Sequence, residues 1–499
     1  MNKYCEALGR VGVILIILLT SCRFTDPSAP PPAYTPIGAL PYPTEIETIE
    51  ITQGPTNEDY LQTPEAPLQP QTSLETEYYF DVDLDYDLKR LNVVQIISYT
   101  NNTDESISDL PILVPPAYQN DVFRLQSIQI NQAFPGTSAK MEGAQIHVLL
   151  DPPLGPGKPL EISFTFDLHP KPGGMALGYT DRQMLLTDWY PMIPPYQEGN
   201  GWVVNPPGFV GEYITYPISH FHLNLCIAPS RQALIVAASA PLVDEADNCY
   251  QYQHQYRRNI SLGISPHYHV STATGEDVTV NAYTFPEHAG LGMRTSNLAL
   301  QAWETFNKLF GDNQRYFLSI VEADIFDGLE TDGLIFISEW YFRTADPSPQ
   351  NYYELLIVHE TVHQWFYGFV HNNQALEPWL DEALATYSEY LFYEIHHPNL
   401  VDWWWDYRVA SYAPEGPVNA TIYDFNQYRL YINAVYLRGA SFLHAAREEI
   451  GDQAFFSYLL HYVQSNADIN HLRHADDFIE LFFNRSDPQH RRLLQEYFQ

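Results

Sequence analysis

The sequence predicts a multidomain protein in which an all-β domain, a sandwich or saddle-shaped sheet assembly, precedes an α+β, mostly helical domain. The chain has 499 residues, of which 45% are hydrophobic and 14% aromatic. A single hydrophobic core does not usually hold a chain of this length and composition. Apolar residues alternate with a period of two over residues 75–286, which is typical of half-buried strands. Over residues 287–499 the period changes to 3.6, which indicates amphipathic helices.

The first 21 residues have the composition of an export signal. Lys3 and Arg10 precede an apolar run, residues 11–19, that is too short to span a bilayer as a helix. The run leads to Leu-Thr-Ser-Cys, ending at Cys22, which resembles the cleavage box of bacterial lipoproteins. The resemblance implies that residues 1–21 are removed and that Cys22 carries a lipid. The protein would then be exported and anchored to the bacterial cell membrane on its extracytoplasmic side. An ordinary signal peptide with an incidental cysteine is the alternative.

Residues 22–74 have the composition of an extended tether. Residues 23–74 contain eleven prolines and a single basic residue, Arg23. Such a segment buries too little apolar surface to fold. We therefore expect a disordered linker that holds the folded domains away from the membrane.

The two folded domains are predicted at residues 75–286 and 287–499. In the first, short alternating runs are separated by proline, glycine and asparagine turns, which favours a sandwich of many strands. Its clearest strands are predicted at 91–97, 145–150, 160–166 and 278–285. In the second, helices are predicted at 292–310, 351–370, 378–396, 433–450 and 453–465, with strands at 316–321 and 333–337.

The charge balance excludes one class of partner. The chain has 61 acidic and 25 basic residues, which gives a formal net charge of −36. A chain this acidic repels phosphate backbones, so nucleic acid is not expected as a partner.

Of the four cysteines, two belong to the folded part of the chain. Cys5 lies in the predicted signal, and Cys22 is the predicted lipid carrier. Cys226 and Cys249 lie in strand-like stretches, where an oxidising compartment permits a disulfide between them. Two unpaired buried thiols are the alternative.

The motif with the most specific chemistry is H-E-x-x-H at residues 359–363. On a helix, His359 and His363 lie one turn apart on the same face, so both imidazoles can reach one zinc ion. Glu360 points to the side, where it can take a proton from the attacking water. Two solvated histidines are the alternative. However, the helix is apolar on both sides of the motif, and buried polar groups without partners are costly.

A second helix begins at Pro378 and carries Glu382. Packed antiparallel against the first helix, it can direct Glu382 at the same ion. Two histidines and one carboxylate leave a fourth position open, as in catalytic zinc sites. We therefore predict one zinc ion per chain, bound by His359, His363 and Glu382.

These residues resemble the aminopeptidase N-like zinc metallopeptidases, or gluzincins. Residues 359–366, His-Glu-Thr-Val-His-Gln-Trp-Phe, and residues 381–389, Asp-Glu-Ala-Leu-Ala-Thr-Tyr-Ser-Glu, are similar to that family's H-E-x-x-H-Q-W-F and N-E-G-F-A-x-Y-x-E. The eighteen residues 364–381 reproduce the family's interval. The resemblance implies a thermolysin-like catalytic domain and an enzyme that hydrolyses peptides from the N-terminus. It places the third zinc ligand at Glu382 and the general base at Glu360.

The resemblance assigns two further residues. Tyr436 begins Tyr-Leu-Arg-Gly-Ala, which is similar to the family's Y-x-K-G-A. Its phenol would donate a hydrogen bond to the oxyanion. Glu330 falls on the glutamate of a loosely kept G-x-M-E-N motif and would hold the free α-amino group of the substrate. The alternatives are an ordinary helix-face tyrosine and an acidic turn.

Departures from the family leave two other functions open. Asp381 and Ala383 replace the family's Asn and Gly, and the chain ends soon after Tyr436, whereas large relatives continue into a helical domain that closes the cleft. An open cleft would suit an endopeptidase. A peptide-binding lipoprotein without activity is the third hypothesis, although the ligands, the base and the tyrosine are all present.

Overall fold

The computed structural model describes residues 46–49, 51–52, 76–131, 134, 136–174, 176–465 and 472–498. All of these residues belong to one compact unit, Ala33–Gln499. The predicted export signal and Cys22 lie outside the described residues, as does most of the predicted linker. Within the described ranges, no helix is long and apolar enough to cross a membrane.

The first part of the chain is all-β, as the sequence predicts. Its strands are β1 (Ile46–Ile49), β2 (Ile51–Thr52), β3 (Thr76–Asp85), β4 (Arg90–Thr100), β5 (Ile107–Leu113), β6 (Phe123–Ile130), β7 (Ser138–Glu142), β8 (Gln145–Leu154), β9 (Pro159–Leu168), β10 (Lys171–Pro172), β11 (Leu177–Tyr179), β12 (Met184–Leu186), β13 (Tyr196–Gln197), β14 (Gly201–Trp202), β15 (Ser219–Ile227), β16 (Ile235–Ala238), β17 (Leu242–Ala246), β18 (Cys249–Arg257) and β19 (Leu262–Ser265).

An eight-stranded sheet dominates this domain, in the order β17-β18-β15-β3-β4-β9-β6-β2. Strand β3 shows how the sheet forms, because its alternate residues Tyr78, Phe80, Val82 and Leu84 are all buried. They pack in one hydrophobic core with residues of the four-stranded sheet β1-β7-β8-β5. The disulfide between Cys226 and Cys249 is present and joins β15 to β18, where the two residues are direct partners.

Two strands depart from the predicted tether. Strand β1 pairs antiparallel with β7, and β2 pairs parallel with β6, although both lie inside residues 22–74. Their sequence, Ile-Glu-Thr-Ile-Glu-Ile-Thr over residues 46–52, is rich in β-branched residues, which favour strands. The tether prediction is wrong for these six strand residues, because an average composition conceals a short local preference.

The second part of the chain combines a sheet with helices. Its elements are β20 (His269–Thr274), β21 (Thr279–Thr284), α1 (Gly292–Phe310), β22 (Phe317–Ala323), β23 (Gly328–Thr331), β24 (Leu334–Ser338), α2 (Glu339–Thr344), α3 (Tyr352–Val362), α4 (Trp379–His396), α5 (Val401–Trp404), α6 (Tyr428–Tyr431), α7 (Arg438–Ile450), α8 (Asp452–Gln464), α9 (Ala475–Phe482) and α10 (Pro488–Tyr497). A π-helical turn, Ile432–Leu437, connects α6 to α7.

The last two strands before residue 286 enter one sheet with strands of the second part of the chain. Strands β20 and β21 join β22, β24 and β23 in the five-stranded sheet of the second domain, in the order β20-β21-β22-β24-β23. Alternation in a sequence identifies a strand but does not reveal which sheet it enters, so this pairing could not be predicted from the sequence.

The helix predicted at residues 351–370 is shorter than expected. Helix α3 ends at Val362, with His363 at its C-cap. Beyond it the chain turns so that Trp365 is fully buried and donates a hydrogen bond to the Gly311 carbonyl. The buried Arg258 stabilises the segment after this turn, because its guanidinium donates hydrogen bonds to the carbonyls of residues 367–369.

Candidate active site

Helices α3 and α4 bring the three predicted zinc ligands together. Nε2 of His359 lies 3.3 Å from Oε2 of Glu382, and Nε2 of His363 lies 3.6 Å from the same oxygen. All three side chains are buried. The helices contact each other directly because both are apolar on nearly every face, so they form part of the main hydrophobic core.

Each histidine is oriented by a second carboxylate. Nδ1 of His359 lies 2.8 Å from Glu389, and Nδ1 of His363 lies 2.7 Å from Asp381. Each Nδ1 is thereby engaged by a carboxylate, which leaves Nε2, the ring nitrogen nearest Glu382, for a metal ion. Asp381, where the related family has Asn, therefore supplies a charged partner for His363.

The carboxylates give the site an excess of negative charge. Burial lowers the pKa of His359, but the carboxylates of Glu382 and Glu389 outweigh it and raise the pKa to about 9. Burial also lowers the pKa of His363, but the charges of Asp381 and Glu330 outweigh it and raise the pKa well above its ordinary value. A site that favours positive charge, with two imidazole nitrogens and one carboxylate oxygen within 4.8 Å of one another, fits a zinc ion.

Glu360 lies beside this cluster without joining it. One of its oxygens and ligand atoms of Glu330 and His363 lie within 4.8 Å of one another. Its Oε2 is buried and has no hydrogen-bond partner among the described residues. Burial raises the pKa of Glu360 to about 7, against the lowering effect of His359 and His363. The position suits a base that accepts a proton near neutral pH.

Tyr436 lies beside His359. Its ring is parallel to the His359 imidazole, with the ring centroids 6.0 Å apart. It belongs to the π-helical turn Ile432–Leu437, a feature frequent at functional sites. Burial, reinforced by the charge of Glu382, holds the pKa of Tyr436 well above its ordinary value, so the phenol keeps its proton and can donate it in a hydrogen bond. The neighbouring Arg438 instead donates to the Glu496 carbonyl, away from the site.

Glu330 lies at the end of strand β23 and is buried. Burial, together with the charge of Glu212, raises the pKa of Glu330 well above its ordinary value. Glu212 comes from the loop before β15 and was not found from the sequence. Oxygens of Glu212, Glu330 and Glu382 lie within 4.8 Å of one another.

The Glu212 loop is fixed by contacts to the helical domain. A Cβ added at Gly211 would lie 2.6 Å from Ile422 and 2.8 Å from the Tyr431 hydroxyl, and the backbone has a positive φ there. The only sequence signal was a turn-rich stretch, Asn-Pro-Pro-Gly-Phe-Val-Gly at residues 205–211, which has no spacing typical of a site.

Comparisons with known proteins agree with this geometry. Residues 304–495 match the model of the peptidase family M1 domain. The fold is similar to that of an M1 zinc metallopeptidase from Deinococcus radiodurans, with 17% identity and a TM-score of 0.62, over 86% of this chain and 95% of that one. A mutant of an M1 zinc metallopeptidase from Deinococcus radiodurans, bound to the substrate Tyr-Ser-Ala, is similar at 18% identity and a TM-score of 0.57, over 85% and 94%. A two-domain M1 zinc metallopeptidase mutant bound to L-arginine gives 18% and 0.59 over the same shares.

Proposed function

Since this chain is a zinc metallopeptidase of the M1 family, we propose that it is an aminopeptidase, which releases single residues from the N-terminus of peptides. One observation carries the proposal. Carboxylate oxygens of Glu212 and Glu330 lie within 4.8 Å of an oxygen of Glu382, the predicted third zinc ligand.

This spacing suits one residue between the amino group and the cleaved bond. In a peptide, only two bonds separate the α-amino nitrogen from the carbonyl carbon of the same residue, and each further residue adds up to about 3.3–3.6 Å. A pair of carboxylates, here the buried Glu330 and the half-buried Glu212, binds an ammonium group through charge-assisted hydrogen bonds. An ammonium held by Glu212 and Glu330 therefore brings the first carbonyl, and not the second, next to His359, His363 and Glu382.

The remaining residues supply the proton transfers. His359, His363 and Glu382 would hold a zinc ion, which would polarise a carbonyl and lower the pKa of water to about 7. Glu360 accepts a proton from the attacking water and returns it to the leaving amine nitrogen as the peptide C–N bond breaks. Tyr436 donates a hydrogen bond to the oxygen on which negative charge develops. The products are a free amino acid and a peptide shortened by one residue.

Free and N-acetylated peptides of one sequence test the proposal. We expect the free peptide to lose its first residue and the acetylated peptide to resist, because acetylation removes the charge that Glu212 and Glu330 bind. Equal cleavage of both, at internal bonds, would identify an endopeptidase instead. Metal analysis that found no zinc in the purified protein would favour the binding protein without activity.

We also propose that the protein is exported and lipid-anchored through Cys22. The disulfide between Cys226 and Cys249 supports export, because disulfides persist in oxidising compartments. Labelling with radioactive palmitate in a bacterial host tests the anchor. We expect label in the wild-type chain and none in Cys22→Ser, and equal labelling of both would exclude Cys22 as the lipid carrier.

A further inference from the structure

We propose that two adjacent amides, Asn373 and Gln374, are positioning residues for the two carboxylates that bind the substrate's amino terminus. This inference rests on the proposed function, since it assigns Glu212 and Glu330 to that task. Both amides are buried in the loop that runs from the end of the zinc helix α3 to the start of α4. The loop therefore joins the proposed zinc ligands to the proposed amino-terminal site.

Gln374 holds the Glu330 side of the site. Its Nε2 donates a hydrogen bond of 2.6 Å to Oδ2 of Asp381 and one of 3.4 Å to Oε1 of Glu330. Asp381 in turn contacts Nδ1 of His363 through its other oxygen. One amide group thus links the anchoring carboxylate to the partner of a zinc ligand. An N–H donor between the two carboxyl groups satisfies an acceptor oxygen of each of them.

Asn373 is linked through Asn205 to the loop that carries Glu212. Asn205 Nδ2 donates to Asn373 Oδ1 at 3.0 Å, and the Asn373 amide donates back to Asn205 Oδ1 at 3.5 Å. Asn205 also donates to the carbonyl of Tyr213, the residue that follows Glu212. The pair of amides thereby connects the loop of the β domain to the zinc-binding helices of the catalytic domain.

The two contacts have a common consequence. Glu212 and Glu330 come from different domains, and neither belongs to the helices that carry the zinc ligands. The distance from the ammonium group to the cleaved carbonyl depends on how these elements are held relative to α3 and α4. Asn373 and Gln374 are neighbours in one loop. Gln374 contacts the Glu330 carboxylate directly, whereas Asn373 acts through Asn205 on the backbone next to Glu212, so the two amides together fix this distance from both sides. Binding of a free amino terminus in register with the zinc ligands depends on that distance. A misplacement of about 1 Å can cost a factor of about 10² in rate.

Kinetics of matched variants test the inference. Gln374→Met has nearly the same size but no donor, and we expect it to raise KM for free peptides about tenfold with zinc content unchanged. Gln95→Met is the control, because Gln95 is a buried glutamine of the β domain that donates to the Pro191 carbonyl. It should keep the wild-type KM.

Double mutants separate positioning from a structural role. We expect Gln374→Met to add little to the defect of Glu330→Gln, and Asn373→Ala to add little to the defect of Glu212→Gln, because each amide acts through its own carboxylate. Asn101→Ala, at a buried asparagine of the β domain, should add its effect independently in both backgrounds. If Gln374→Met does not fold, Gln374→Asn, whose amide is one methylene shorter, tests the same contact.

The outcomes distinguish this inference from the proposed function. If wild-type protein cleaves acetylated and free peptides equally, the proposed function fails and this inference fails with it. If the wild type selects free peptides but Gln374→Met keeps the wild-type KM, only the inference is overturned. Additive effects of Gln374→Met and Glu330→Gln on kcat/KM would also overturn it.

Discussion

The carboxylate of Glu360 rests against the backbone of strand β23 at Gly328. A Cβ added to Gly328 would lie 2.1 Å from Oε1 of Glu360 and 2.6 Å from its Cδ. The proposed base therefore occupies space that is free only because Gly328, in the neighbouring strand, has no side chain. Ala383 and Gly439 show the same relation between α4 and α7, where a Cβ added at Gly439 would lie 2.4 Å from that of Ala383.

Gly328→Ala should therefore disturb the base without disturbing the metal ligands. We expect kcat to fall about 10²-fold, because the carboxylate must move by about 1 Å or more from the attacking water. Zinc content should stay at the wild-type level, since Glu360 is not a ligand. Gly290→Ala is the control, because nothing lies within 4 Å of a Cβ added at Gly290. Unchanged kcat in Gly328→Ala would show that Glu360 need not occupy this position.

Glu360→Gln tests the base itself. The amide keeps the shape of the side chain but cannot accept a proton, so we expect turnover to fall at least about 10²- to 10⁴-fold while zinc remains bound. Turnover and metal content are measured on the same preparation. Wild-type turnover in a zinc-loaded Glu360→Gln protein would remove Glu360 from the role assigned to it.

At the scale of elements, a buried ion pair fixes the turn that follows strand β23. Asp332 accepts hydrogen bonds of 2.9 Å from Nε and Nη2 of Arg315, and it also accepts one from the backbone N–H of Arg258. Arg258 and Arg315 in turn donate to carbonyls of the loop after α3. The strand that carries Glu330 and the helix that carries His359 are thus held through the same arginines.

Asp332→Asn should destabilise the protein by about 3–5 kcal/mol, because it leaves the buried Arg315 without its counter-charge. Chemical denaturation measures the free energy of unfolding. Asp167→Asn is the control, since its partner Arg90 is about half exposed and such pairs contribute roughly 0–1 kcal/mol. Equal losses in the two variants would contradict the importance assigned to the buried pair.

The same pair predicts how stability depends on pH. Burial alone would raise the pKa of Asp332, but Arg315 and Arg257 outweigh it and hold the pKa well below its usual range. The contribution of a group with a depressed pKa is complete above the unfolded-state value of about 3.9 and is lost as the pH falls through the folded-state value. We expect the free energy of unfolding to decrease below about pH 4 in the wild type and to decrease less in Asp332→Asn.

At the scale of the whole molecule, the two domains share a third hydrophobic core. Leu185 and Ala237 of the β domain pack there with Tyr283, Val321 and Phe336 of the catalytic sheet. Glu212 reaches the active site from the β domain, so the site is complete only when both domains are packed together. Neither domain alone contains every residue that the proposed function requires.

We expect heat to unfold the two domains in a single cooperative transition, because unfolding either domain would expose the shared core. Far-ultraviolet circular dichroism, near-ultraviolet circular dichroism and calorimetry should give the same midpoint. Two separate transitions would show that the shared core does not couple the domains.

Most of the secondary structure that the sequence predicted correctly depends on residues close together in the chain. Helix α1 matches its predicted bounds and α4 begins one residue later than predicted, because an amphipathic period and a starting proline act within a few residues. His359, His363 and Glu382 were placed together from two helices that both needed burial. The all-β domain followed from alternation alone.

The features that the sequence did not predict share one physical reason, because each of them depends on tertiary contacts. Strands β20 and β21 enter a sheet that alternation cannot identify, and the segment after α3 is held by the distant Arg258. Glu212, Asn373 and Gln374 act from irregular loops, whose residues carry no periodic signal. The sequence by itself predicts the zinc-binding residues, because they lie on regular helices. Only packing between the domains brings Glu212 to Glu330, because contacts between residues far apart in the chain hold the two carboxylates of the proposed amino-terminal site together.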